Sequence, residues 1–236
     1  MADPAASESG PVDRPWSSRG REELAAAVRR LTAVTVTSMA PTGLLAEAAR
    51  RAASLADELE GFVPASGPVP VARFSEHDLG PGDARTLAAA MPFDVVIGAC
   101  NPVAVPIVIE FDPPKAIGRA EFTAAYEGAP GCVHGAVLAG AFDMMLTAAN
   151  VIAAGAGPTV TLSIRYLKPT LIAQPALFEA WVTEQDHRRT HSRGHLIQNG
   201  VVTVEAVGEF VNMERSRVAA MHKRDEGPGP RGPGAT

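Results

Sequence analysis

Asp143 is the residue most out of keeping with its surroundings. It follows Phe142 and precedes Met144, Met145 and Leu146 within VHGAVLAGAFDMMLTAANVIAA, the run from Val133 to Ala154. The length of that run and its Ala, Leu and Met content predict a helix rather than a strand. A helix apolar nearly all round is a buried one. Burying a carboxylate without partners is costly and raises its pKa, so such a residue is retained because it is paired or because it works. The work open to it is proton transfer from water or direct attack on an electrophilic carbonyl.

The start of the same helix supplies the complementary chemistry. Gly128 to Ala136 reads GAPGCVHGA, which brings flexible backbone to a helix N-terminus, where unpaired N–H groups and the helix dipole stabilise an oxyanion. An acid further along the same helix makes this combination more informative than a lone His-Gly. Cys132 invites a reading as a nucleophile, but small inert thiols are common and loop neighbours point apart. Asp186, His187, His191 and His195 suggest a metal site at first sight. Placed on a hairpin turn and the following strand, beside arginines, they make a poor compact tetrahedral set. The sequence therefore implies no metal and no organic cofactor.

YEGAPGCVHGAVLAGAFD, Tyr126 to Asp143, resembles the signature of the PaaI-like hotdog thioesterases, an E-G-x-P-G-x-V-H-G-G stretch followed by an Asp on the same helix. Asn101-Pro102 upstream, and PTVTLSIRYLKPT and DHRRTHSRGHL downstream, fall in that family's order, so the resemblance spans about Phe93 to Asn212. It implies an α+β hotdog fold, an antiparallel sheet wrapped around a long central helix, and hydrolysis of an acyl-CoA thioester to the free acid and CoA. Carried over by position, Asp143 is the catalytic acid, Gly135 the backbone donor to the thioester carbonyl with His134 beside it, and Thr159 a positioning hydroxyl. Arg165, Lys168, Arg188 and Arg189 fall where the family contacts coenzyme A. Two positions depart from the pattern: the usual second Gly is Ala136, which keeps a backbone N–H, and Met144 stands where many members carry a polar residue.

Charge and chemistry fit that implication. A thioester has a good leaving group, so a placed carboxylate and an electrophilic pocket suffice. As turn residues, Arg188, Arg189 and Arg193 are ordinarily a solvated charge run, whereas CoA phosphates give their guanidinium forks a specific use. A non-catalytic acyl-CoA-binding hotdog protein, a sensor or a partner subunit, keeps the basic cluster and pocket but has no need of Asp143. A hotdog hydratase or dehydratase needs an Asp and His pair beside a carbonyl, which this motif matches less well.

The elements that must position these residues follow from periodicity. Six strand-like segments are predicted at VAVPIVIEF, AIGRAEFTAAYE, TVTLSIRYL, ALFEAWVTEQ, HSRGHLI and VVTVEAVGEFV, with a hairpin at Asn199-Gly200. Glu22 to Val34 and Thr42 to Glu60 have helical spacing, with Leu44, Ala48, Ala52, Leu55 and Leu59 on one side. Residues 1–19 and 214–236 are rich in Pro, Gly and polar residues and predict a loose arm and tail. Between them lie a helical extension and linker, 20–70, and the main domain, 71–213.

With 236 residues and 46% hydrophobic content, the chain can bury one sizeable core. A net charge of -5 excludes a broad basic face for nucleic acid or a membrane surface. Two cysteines, no signal-peptide pattern and no uninterrupted span of ~20 apolar residues predict a cytoplasmic protein. One further expectation comes from helix geometry. Gly135 and Asp143 are eight residues apart, about 12 Å along a helix axis, too far to act on one carbonyl. The site should therefore be shared between two chains, in a homodimer or a homotetramer of paired dimers.

Overall fold

The computed structural model describes residues 19–63, 87–89, 91–105, 107–155 and 157–213. Two helices, α1 (Arg19–Thr37) and α2 (Thr42–Glu60), precede the strands β1 (Ile107–Asp112) and β2 (Lys115–Glu121). Helix α3 (Gly135–Ile152) follows, then β3 (Thr159–Tyr166), β4 (Pro175–Gln185), β5 (Arg189–Gln198) and β6 (Val201–Val211). The strands form one antiparallel sheet in the order β1-β2-β4-β5-β6-β3, which leaves β1 and β3 as its edges.

The sheet closes on α3 because its inner face alternates large and absent side chains. Phe178, Leu196, Val204 and Phe210 point inward and are buried, as are Phe142, Met145 and Leu146 from the helix. Gly118, Gly194 and Gly208 stand opposite those three helix residues. A methyl group at these glycines would lie 2.6 Å from Met145 Sδ, 3.1 Å from the Phe142 ring and 2.8 Å from Leu146. Full burial of each bulky side chain contributes roughly 2–3 kcal/mol, so this interdigitation fixes where the helix sits along the strands. By composition α3 could cross a membrane, with a mean hydropathy of 1.5, but its apolar residues are spent on the core.

The expected architecture is the observed one: an antiparallel sheet around one central helix, with two helices ahead of it. Helix α2 has the predicted bounds, and α1 runs three residues further at each end. The turn at Asn199-Gly200 has both residues at positive φ, 52° and 74°, which matches the right-handed twist of the strands it joins. The second predicted strand is too long. It ends at Glu121, and beyond it the Phe122 and Tyr126 rings meet edge to face with centroids 6.0 Å apart. The chain leaves the sheet at Thr123, whose hydroxyl accepts from the Ala125 N–H, and Ala124–Tyr126 winds into a 3-10 turn. The first strand likewise begins only at Ile107. Before it, Asp94 Oδ1 accepts from the Val96 and Ile97 N–H groups and folds the chain into turns. The predicted arm (apart from Arg19), the end of the linker, the start of the main domain to residue 86, and the tail lie outside the described residues.

Helix α1 is tied to the domain at its middle. Ala25 is buried, Arg29 donates to the carbonyl of Asn101 at 2.7 Å, and Arg21 lies over the Phe93 ring. Asn101 itself donates through Nδ2 to the Phe93 carbonyl, so its observed role is to hold this loop.

Candidate active site

The loop before α3 is closed by its own hydrogen bonds. Glu127 and Val133 form an isolated bridge, and the Gly128 N–H donates to the Cys132 carbonyl at 2.9 Å. The Glu127 carboxylate accepts from the Gly131 N–H at 2.6 Å. Gly131 has φ +74°, a left-handed conformation that glycine adopts without strain. Gly128 is required for a different reason: a Cβ there would lie 2.8 Å from His134 Cα. This loop delivers His134 to the N-cap of α3, where its Nδ1 accepts from the Ala136 N–H at 3.0 Å.

That cap decides which backbone donor is free. The Ala136 N–H, expected as a second oxyanion donor, is taken by His134, and the Val137 and Leu138 N–H groups both go to the His134 carbonyl. Among the described residues the Gly135 N–H has no partner, so it is the donor left at the positive end of the helix dipole. His134 therefore acts first as a cap, with its imidazole neutral at Nδ1 and Nε2 carrying the proton.

A cleft of about 710 Å³ opens at this helix end, lined among others by His134, Gly135, Leu138, Tyr166 and Lys168. Tyr166 closes it from β3, donating its hydroxyl to the Gly135 carbonyl at 2.8 Å. Lys168 is set by the segment after β3, whose Leu167 and Lys168 N–H groups donate to the Thr203 carbonyl while Val133 donates to Thr170. Cys132 also lines this cleft, its thiol 3.6 Å from the Pro130 carbonyl.

Asp143 lies at the other end of β3. It is half-buried rather than enclosed, and its Oδ1 accepts from Thr159 Oγ1 at 2.7 Å. A register shift between Thr159 and Thr161 at the start of β3 sets Thr159 opposite Phe210 of β6, on the helix side of the sheet. Asp143 does not line the cleft at Gly135 within one chain.

The basic residues divide into three places. Lys168 is in the cleft at Gly135. Arg188, in the turn between β4 and β5, and Arg189, the first residue of β5, stand at the Asp143 end of the sheet, where Thr190, Phe210 and Thr159 form one row. The Asp186 carboxylate accepts the N–H groups of both arginines, at 2.6 and 2.8 Å, and these two bonds hold its pKa below the ordinary value. Arg189 pairs with Glu209 at 2.8 Å, whereas Arg188 is exposed and its guanidinium has no ion pair among the described residues. Arg165 lies apart from both groups. It stands opposite Glu205, bonded to it at 3.1 Å, on the sheet face turned away from α3.

Two of the residues weighed as a metal set have other work. Asp186 caps its turn, and His195 packs edge to face against Trp181. No group of three or more candidate ligands converges among the described residues. Sequence reasoning missed Tyr166 and Glu127 as site builders. The inward alternation of Leu162, Ile164 and Tyr166 along β3 was the available signal for the first.

A six-stranded antiparallel sheet wrapped on one long helix, with a polar loop at the helix start and an acid within it, defines a hotdog-fold protein. Residues 130–206 match the model of the thioesterase superfamily. The thioesterase superfamily protein RHA08564 has a crystal structure similar to this chain, with 27% identity over 83% of this chain and 92% of that one and a TM-score of 0.69. Zebra fish thioesterase superfamily member 2 is 19% identical over 46% of this chain and 82% of its own, with a TM-score of 0.43. The E. coli PaaI protein from the phenylacetic acid degradation operon is 18% identical over 46% and 80%, also at 0.43. No curated protein matches the chain. The chain thus has the hotdog fold, and its residues 130–206 are similar to the thioesterase superfamily, in keeping with the resemblance of its motif.

Proposed function

We propose that this protein hydrolyses acyl-CoA thioesters at composite sites, each built by two copies of the chain. The observation that carries this reading is the placement of the two half-sites at opposite ends of one edge strand. Thr159 with Asp143 marks the start of β3, and Tyr166 with Gly135 marks its end. Eight residues of strand separate these ends by about 23 Å. Along the helix, Gly135 and Asp143 are about 12 Å apart. Neither distance lets one chain work on one carbonyl, which needs reacting groups within roughly 3–3.5 Å.

A two-fold axis removes the difficulty. Strand β3 is an edge, and an edge presents a row of N–H and C=O groups ready to pair. Antiparallel pairing about Ser163 sets Leu162 beside the partner's Ile164 on the helix side. It also brings the partner's Tyr166 opposite the irregular Thr159–Val160 step. Each site then has Asp143, Thr159, Arg188 and Arg189 from one copy, and the Gly135 N–H, His134 and Lys168 from the other. Two such dimers can pair further into a homotetramer.

In this arrangement Asp143, oriented through Oδ1 by Thr159, uses Oδ2 to take a proton from water. The water oxygen attacks the thioester carbonyl, and the Gly135 N–H receives the developing oxyanion. Collapse of the tetrahedral intermediate breaks the C–S bond, and the thiolate leaves with the proton. Lys168, Arg188 and Arg189 hold CoA phosphates by charge-assisted hydrogen bonds. The chemistry requires no metal or organic cofactor. A cytoplasmic location supplies the CoA pool this reaction uses.

The discriminating experiment is thiol release from a panel of aryl-, medium- and long-chain acyl-CoAs by purified protein, with Asp143→Asn alongside. Turnover abolished in the variant while acyl-CoA still binds is the expected result. Binding without release by the natural protein on every member of the panel would instead assign it as a non-catalytic acyl-CoA-binding protein.

A further inference from the structure

Helix α2 is nineteen residues long, and not one of them is buried. Leu45, Leu55 and Leu59 are 45, 47 and 43% exposed, and Phe62, just past the helix end, is 86% exposed. Helices in proteins draw most of their stability from packing an apolar face, so a helix with leucines on one side and no buried residue lacks the contact its sequence is built for. Leu45, Ala48, Ala52, Leu55, Leu59 and Phe62 recur at alternating steps of three and four. These are the a and d positions of a heptad repeat, which face a second helix.

We propose that α2 pairs antiparallel with α2 of a second copy of this chain. The stripe is complementary to its own reverse. With the two-fold axis between Ala53 and Ser54, Ala52 meets the partner's Leu55, Ala48 meets the partner's Leu59, and Leu45 meets the partner's Phe62. Every layer sets a small residue against a large one, or Leu against Phe, and none sets two small residues together. The flanks agree. On one side of the seam Ala49 faces the partner's Ala56, which lets the helices approach closely. On the other, Arg51 faces the partner's Glu58, opposite charges at the positions that set orientation in coiled coils. Both side chains are exposed, and among the described residues Arg51 bonds only to the half-buried Glu47.

Two heptads are too short to associate tightly by themselves, since sustained coiled coils run to about three or four. Here the helix is tethered through α1, which Arg29 ties to the domain. A tether converts the pairing into a local event with a high effective concentration once two copies are joined elsewhere. The proposal rests on the dimer of the proposed function only for joining two copies, since no residue of α2 belongs to the site.

Sedimentation equilibrium of the full chain tests it. Leu55→Glu and Glu58→Arg should each weaken self-association, by about tenfold or more for the leucine, with the urea unfolding midpoint of the core unchanged. Combining Glu58→Arg with Arg51→Glu should restore most of what Glu58→Arg loses, because the opposed charges are merely exchanged. Unchanged association in Leu55→Glu overturns the proposal. Weakened association without rescue by the charge exchange also overturns self-pairing, and assigns the stripe to α1, to another segment of the chain or to a different protein.

Discussion

Thr159 Oγ1 donates to Asp143 Oδ1 at 2.7 Å across sixteen residues of sequence, joining the first residue of an edge strand to the one acid of the core helix. The bond occupies one carboxylate oxygen and leaves the other for water. Asp143→Asn keeps the shape and the acceptor but removes the base. It should lower kcat by several powers of ten with acyl-CoA affinity retained, read by thiol release and by calorimetric titration.

Thr159→Val removes the hydroxyl and keeps the volume. Asp143 loses its orienting bond, and a misplacement of about 1 Å costs about 10²-fold in rate. The loss should fall on kcat rather than KM. A change confined to KM would place Thr159 in substrate binding instead.

Arg188→Ala with Arg189→Ala should raise KM for acyl-CoA far more than for a short thioester lacking the nucleotide, since phosphate contacts are remote from the carbonyl. Equal effects on both substrates would return these arginines to a solvated turn. Arg165→Ala should leave both substrates nearly unaffected, because its partner is Glu205 on the far face of the sheet.

Mixing Asp143→Asn chains with Gly135→Pro chains tests the shared site. Proline is tolerated at the first helical position and removes only the N–H that the helix leaves free. A Cβ at this position also lies 3.0 Å from Tyr166 Oη, so Gly135→Ala is the control for bulk alone. Heterodimers should regain about one working site of two. No recovery despite proven subunit exchange would count against the composite arrangement.

The Asp186 turn makes a prediction for acid. Its carboxylate accepts two backbone N–H groups, and the folded pKa is depressed. The stability it contributes is present above the ordinary carboxylate pKa and is lost as pH falls through the folded value. The difference in urea midpoint between the natural protein and Asp186→Ala should therefore be largest near neutral pH and shrink in acid.

Much of this architecture was legible in the sequence because it is local. The apolar run around Asp143 predicts a buried helix, period-two alternation places most of the strands, and Asn199-Gly200 announces its turn. His134-Gly135 marks a helix start for the same reason, since caps and turns depend on a few consecutive residues. Where local pattern failed, at Thr123 to Tyr126, strand-like residues wind into a 3-10 turn whose Tyr126 hydroxyl donates to the distant Ala104 carbonyl. Tertiary structure alone decided which donor stays free, since His134 claims the Ala136 N–H only when the loop closes through Glu127. It also decided that β3 is an edge, that Arg165 and Lys168 part company although only two residues lie between them, and that α2 buries nothing. Those outcomes depend on which surfaces meet across the sheet, and the free energy of such contacts is set by residues far apart in the chain.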